Sequence, residues 1–143
     1  MPPWPRLKPI HAVSVNLKLR KIMKQEVDPI EQEIQAKGLT APRITPAALE
    51  ENIKTEAYFT AADGVRGTTP PGLRTYVPAQ EHQLLTFCVL TLRNGFTVTG
   101  ESACASPENF DGEIGRKIAR ANAVQKIWPL MGYQLRETLH QKR

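Results

Sequence analysis

Gly64-Val65-Arg66-Gly67-Thr68-Thr69 brings together backbone freedom, a cation and two hydroxyls, the ingredients of a phosphate-cradling loop. Its spacing matches neither the P-loop nor the dinucleotide fingerprint, and no clear strand precedes it. Gly64, Arg66, Gly67, Thr68 and Thr69 therefore read as a flexible segment and a candidate ligand or partner loop. Gly100-Glu101-Ser102-Ala103-Cys104 approaches a nucleophile elbow, but Cys104 stands where the second glycine belongs and no His–Asp pair lies nearby in sequence. His11, His82 and His140 are at no metal-ligand spacing, and Cys88 and Cys104 form no CxxC pair. Without a nucleophile, base and orienter, the expectation is a non-enzymatic protein with no catalytic, cofactor or metal residues. The remaining chemistry is electrostatic. Arg116, Lys117 and Arg120 form a candidate basic contact face on a helix, although Glu113 stands one turn before Lys117 as a favourable partner.

The elements that must position these residues are clearest after residue 84. Leu84–Leu92 and Phe96–Ala103 are apolar runs joined across Arg93-Asn94-Gly95, and Asn-Gly favours a tight hairpin because both residues tolerate positive φ. A two-residue turn would set Cys88 opposite Glu101 and Cys104 opposite Leu85, so the cysteines are not cross-strand partners and are expected to be reduced thiols. One face would then carry Leu85, Phe87 and Val89 with Phe96, Val98 and Ser102; Leu84, Leu90 and Leu92 on the other face would need cover, which predicts a homo-oligomer. Ser106 reads as an N-cap with Pro107 in the first helical position. The predicted helix spans Pro107–Trp128, with Phe110, Ile114, Ile118, Ala121, Val124 and Trp128 as its apolar stripe and a kinked extension beyond Pro129.

Upstream, Asp28-Pro29 and Thr45-Pro46 announce two short helices, the first stopped by Gly38 and the second running to Thr55 or Tyr58. Residues 61–81 read as a long loop, and Val13–Leu19 alternates like a strand. The fold class is α+β: short N-terminal helices (27–60), the loop, and a hairpin–helix core (82–143).

The net charge of +5 is not spread evenly. Residues 1–24 hold Arg6, Lys8, Lys18, Arg20, Lys21 and Lys24 without an acid, whereas the rest carries 13 Lys/Arg against 14 Asp/Glu. Residues 1–26 are thus a basic, dispensable arm ahead of a near-neutral domain, and a start at Met23 would leave 14 bases and 14 acids. That distribution weakens a nucleic-acid reading based on overall charge. No apolar stretch is long enough to predict a membrane span or a signal peptide.

Ile30–Arg43, Tyr58–Val65 and above all Asn94-Gly95-Phe96-Thr97-Val98-Thr99-Gly100-Glu101-Ser102-Ala103-Cys104 resemble a known family, as do Gly115–Arg120 and Ile127–Leu130. The family is the small bacteriophage protein family named after gene product forty-nine of phage N-four and sixty-six of Sf-six. The resemblance spans about Ile30–Arg136 and implies a phage or prophage protein acting in bacterial host cytoplasm. It supplies no activity and no functional residues. The resulting expectation is an accessory protein that binds a host protein or a small signalling molecule, to modulate or counter a host system such as antiviral defence. A nucleic-acid-binding module using Arg116, Lys117 and Arg120 is the alternative; the hairpin-then-helix layout is similar to a double-stranded-RNA-binding domain, but there three strands precede the helix and the basic cluster opens it. A virion or assembly component is the third class.

Overall fold

Alternation of buried and part-buried residues along Leu85–Leu92 marks the central strand of a three-stranded sheet, and the rest of the domain is arranged around it. The structure is a computed structural model that describes residues 28–73 and 77–142. The expected basic arm, the Val13–Leu19 strand and the alternative start at Met23 lie outside the described residues. The described chain divides into two compact units between Thr40 and Ala41.

Within the first unit, helix α1 (Pro29–Ala36) starts where Asp28 Oδ1 accepts the Ile30 amide at 2.9 Å. It ends before Gly38, whose φ of +63° suits glycine.

The second unit opens with α2 (Pro46–Asn52), capped by Thr45 Oγ1 accepting the Ala48 amide at 3.0 Å. The helix does not continue to Thr55 or Tyr58. From Ile53 the chain becomes strand β1 (Ile53–Thr60), paired antiparallel with β2 (Leu85–Leu92), so that Phe59 lies opposite Phe87. Ladder formation with β2 overrides the local helical pattern, as tertiary context commonly does. Residues 61–81 are not a plain loop either. Thr60 and Asp63 make a reciprocal capping box that starts α3 (Ala61–Thr68). A 3₁₀ turn (Pro71–Leu73) and α4 (Gln80–Gln83) follow.

The hairpin of β2 and β3 (Thr97–Ala103) is present, but its register differs by one residue from the expected one. Gly95 N donates to Leu92 O (2.9 Å) and Leu92 N to Phe96 O (2.8 Å), so the connection has three residues, with Gly95 at φ +87°. Cys88 therefore faces Gly100 and Leu85 faces Ala103. A one-residue slip exchanges the faces of a strand. Val98 accordingly joins Cys88, Leu90 and Leu92 in the core, while Leu85, Phe87 and Val89 point away from it. Both cysteines are free.

The long helix α5 (Gly112–Gln141) covers the Leu90 face of the sheet, the face for which a covering subunit was expected. Its cap is Asp111, not Ser106: Asp111 Oδ1 accepts the Glu113 (2.8 Å) and Ile114 (3.0 Å) amides. Those two hydrogen bonds hold the Asp111 carboxyl below its ordinary range. Ser106 and Pro107 instead lead into a separate 3₁₀ turn (Pro107–Asn109). Pro129 does not end α5, because the Gln125 carbonyl it leaves without a helical partner belongs to an exposed turn.

The buried stripe of α5 is Gly115, Ala119, Ala123 and Ile127, at every fourth residue. Of the expected stripe, Val124 and Trp128 pack against the core, whereas Phe110, Ile114, Ile118 and Ala121 are exposed. Small residues win because the helix lies almost on the sheet backbone. A Cβ on Gly100 would stand 2.1 Å from Ala119 O and 2.3 Å from Ala123 N. Bulky side chains cannot enter such a contact, so they are turned to its flanks and to solvent.

Candidate functional site

Glu50 on α2, Glu56 on β1 and Arg120 on α5 converge beside the core. Arg120 Nη2 and Nη1 bind the two oxygens of Glu50 at 2.7 and 3.2 Å, and Nε and Nη2 reach Glu56 Oε1 at 3.1 and 2.9 Å. Tyr58 Oη donates to the other Glu56 oxygen at 2.8 Å. Only 20% of the Arg120 side chain and 9% of Glu56 are exposed. Burial alone would lower the Arg120 pKa, but hydrogen bonds from Glu50 and Glu56 outweigh it and raise the pKa further, so the guanidinium is fixed as a cation. Burial and the Glu56 hydrogen bond push the Tyr58 phenol upward, which keeps it neutral.

This clamp breaks up the basic trio read from the sequence. Arg120 is spent inside the fold, Lys117 pairs with Glu113 at 2.8 Å, and Arg116 is exposed. The Lys117 pair is an exposed i,i+4 contact worth little and easily exchanged.

Gly64, Arg66, Gly67, Thr68 and Thr69 lie on or just after α3. Thr68 Oγ1 donates to the Gly64 and Val65 carbonyls at 3.1 Å each, and Thr69 Oγ1 to Val65 O at 2.7 Å. Arg66 leans 3.5 Å from Asp63. The hydroxyls that a phosphate would need thus serve their own helix end.

Gly100 and Cys104 have structural surroundings too. Gly100 is the contact point with α5, and Cys104 Sγ donates to Ser106 O at 3.1 Å. Burial pushes the Cys88 thiol up to about 11, which removes its nucleophilic form at neutral pH. A thiol reagent at pH 8 is therefore expected to modify half-buried Cys104 well before fully buried Cys88. Peptide mapping of the labelled protein checks this, and labelling of both at the same rate would contradict it. Among the described residues, no group of three or more His, Cys, Asp or Glu side chains is placed to hold a metal ion. No described helix is long and apolar enough to cross a membrane.

What the small-residue contact displaces is the more informative feature. Phe110, just ahead of α5, is 36% exposed; Ile114 and Ile118 in its first two turns are 54% and 47% exposed. Residues four apart on a helix are neighbours on one face, so Ile114 and Ile118 form an apolar ridge on α5, and Phe110 lies ahead of it in extended backbone outside the helix. Asp111, Glu113 and Lys117 stand beside it as a charged rim. The ridge lies at the end of the sheet where β1 gives way to α3 and α4 leads into β2, since Gly115 lies against Thr86 near the start of β2. The sequence signal for this arrangement was the four-residue spacing of Gly115, Ala119 and Ala123 together with a glycine inside a strand, a mark of close backbone approach.

The model of the phage protein (N4 Gp49/phage Sf6 gene 66) family matches residues 44–139. The chain belongs to that family. The match begins just before α2 and takes in the three-stranded sheet and nearly all of α5. The family's part of this chain is thus the unit that contains the Arg120 clamp and the exposed ridge. Comparison with curated proteins and with solved structures found no match.

Proposed function

We propose that this phage-family protein acts without catalysis, by gripping a host protein in the bacterial cytoplasm and so modulating or countering a host system. The observation that carries the reading is the exposed Ile114–Ile118 ridge on α5, with Phe110 also exposed just ahead of the helix. An apolar centre flanked by charges has the anatomy of a binding patch. Anchors at i and i+4 on one helix suit an apolar groove on a partner. A protein is a better occupant than a small signalling molecule, because the hydroxyls of Thr68 and Thr69 are already bonded within α3.

A photo-crosslinking residue at position 114, introduced into the protein during infection, tests the idea. The expected result is a discrete adduct with one host protein, lost when Ile118→Glu is added while the circular dichroism spectrum stays unchanged. Retention of that adduct in the Ile118→Glu protein, or no adduct at all, would overturn it.

One observation favours nucleic acid as a second reading. Three strands precede the basic helix, and that helix opens at Gly112, which puts Arg116 and Lys117 in its first two turns. Both features are shared with the double-stranded-RNA-binding domain. The acids Glu108, Asp111 and Glu113 and the commitment of Arg120 to Glu50 and Glu56 weigh against it. Duplex affinity that falls steeply with salt and is lost in Arg116→Glu/Lys117→Glu would reverse the ranking.

A further inference from the structure

We infer that the outward face of the sheet is a self-association surface, occupied by the same face of a second copy of this chain. This surface is separate from the α5 ridge. Strand alternation directs Thr55, Ala57 and Phe59 of β1 away from α5, with Leu85, Phe87, Val89 and Thr91 of β2 and every second residue of β3 from Thr97. At its centre the Phe59 and Phe87 rings stack with centroids 5.3 Å apart. Phe59 is 40% exposed, and Val89 and Leu85 are half-buried beside the pair.

Charge selects the occupant. Of the eleven outward positions only Glu101 is charged, and it is bonded to Lys126 at 3.5 Å and to Thr99 at 3.2 Å. A nucleic acid would need cations on this face, and none of the eleven positions is Lys or Arg. A two-fold pairing places each residue near its own counterpart or a neighbour of it, so a nearly uncharged face is compatible with itself. Whole-unit repulsion is small as well, since residues 41–143 carry twelve Lys/Arg and ten Asp/Glu.

The sheet edges are less available than the face. Asn122 Nδ2 donates to the Glu101 carbonyl at 2.8 Å along β3, and β1 carries a register shift between Ile53 and Thr55. Area sets the strength. Strands of eight, eight and seven residues give a face about 27 Å by about 14 Å, so two opposed copies bury roughly 800 Å² of sheet. That is below the about 1,200 Å² at which stable specific interfaces begin and in the range of transient contacts, so the dimer is weak and exchanges with monomer.

Sedimentation equilibrium of the full chain from about 5 to about 500 μM tests this. The mass is expected to rise with concentration from 16.0 kDa toward twice that value. Val89→Lys should weaken association at least about tenfold without changing the circular dichroism spectrum, because its half-buried position faces away from the α5 core. Mixing Val89→Lys with Val89→Glu should restore a dimer, which a merely misfolded variant would not do. A wild-type mass fixed at 16.0 kDa throughout the range overturns the inference. Association untouched by Val89→Lys also overturns it, as does a lowered melting temperature in Val89→Lys with no change in mass, which would mean that the chain covers this face itself.

Discussion

Gly100→Ala is expected to be the most damaging single-methyl change in the domain. The added Cβ would meet Ala119 O at 2.1 Å, Ala123 N at 2.3 Å and Ala123 Cα at 2.9 Å, all backbone atoms of α5. No rotamer can relieve a backbone clash, so the helix must lift from the sheet along the stripe that seals Cys88 and Leu90. Overpacking inside a well-filled core costs about 1–3 kcal/mol when side chains can adjust. Here they cannot, and a loss of about 3 kcal/mol or more is expected, lowering Tm by more than about 12 °C for a unit of this size. Gly132→Ala is the matched control. It makes the same chemical change within α5, where a Cβ would meet nothing within 4 Å. It should stabilise by up to about 1 kcal/mol through helix propensity alone. Thermal and urea unfolding of the two variants should therefore move in opposite directions. A Gly100→Ala protein as stable as wild type would mean that α5 does not lie on the sheet as closely as described.

That contact also explains how far the sequence could be read. The hairpin and the long helix were legible because Asn94-Gly95 and the apolar periodicity are local signals. The register was not, because a two-residue and a three-residue connection across Arg93-Asn94-Gly95 share the same glycine, and only the Leu92–Phe96 hydrogen bond separates them. The inner face of α5 was misread for a different reason. Weighing residues by hydrophobic bulk selects Phe110, Ile114 and Ile118, whereas the closest approach selects Gly115, Ala119 and Ala123. Strand β1 was hidden by Glu56, an acid at an inward position that makes sense only once Arg120, 64 residues away, is in place. The capping box at Thr60 and Asp63 was present in the sequence, but Gly64 and Gly67 made the following turns look like loop. Local chemistry was readable; long-range partners were not.

Arg120→Ala is expected to destabilise the domain nearly as much, and for a non-local reason. The guanidinium ties α2, β1 and α5 together through four hydrogen bonds to Glu50 and Glu56. Removing one partner of a buried pair costs about 3–5 kcal/mol, whereas exposed pairs contribute about 1 kcal/mol or less. Glu50 is half exposed and can return to water, but Glu56 is nearly buried. The expected loss therefore falls between the two limits, at about 2–3 kcal/mol, and most of it reflects the carboxylate left behind at Glu56. Glu56→Leu combined with Arg120→Met should then be more stable than Arg120→Ala alone, because no nearly buried carboxylate then remains deprived of its guanidinium. A double-mutant cycle in urea checks this, and purely additive effects would show that Glu56 and Arg120 do not depend on each other. The result also governs how nucleic-acid binding can be tested. Reversing Arg116, Lys117 and Arg120 together would abolish any activity by loosening the fold. Reversing only Arg116 and Lys117, which face solvent, leaves the clamp intact and probes the surface alone.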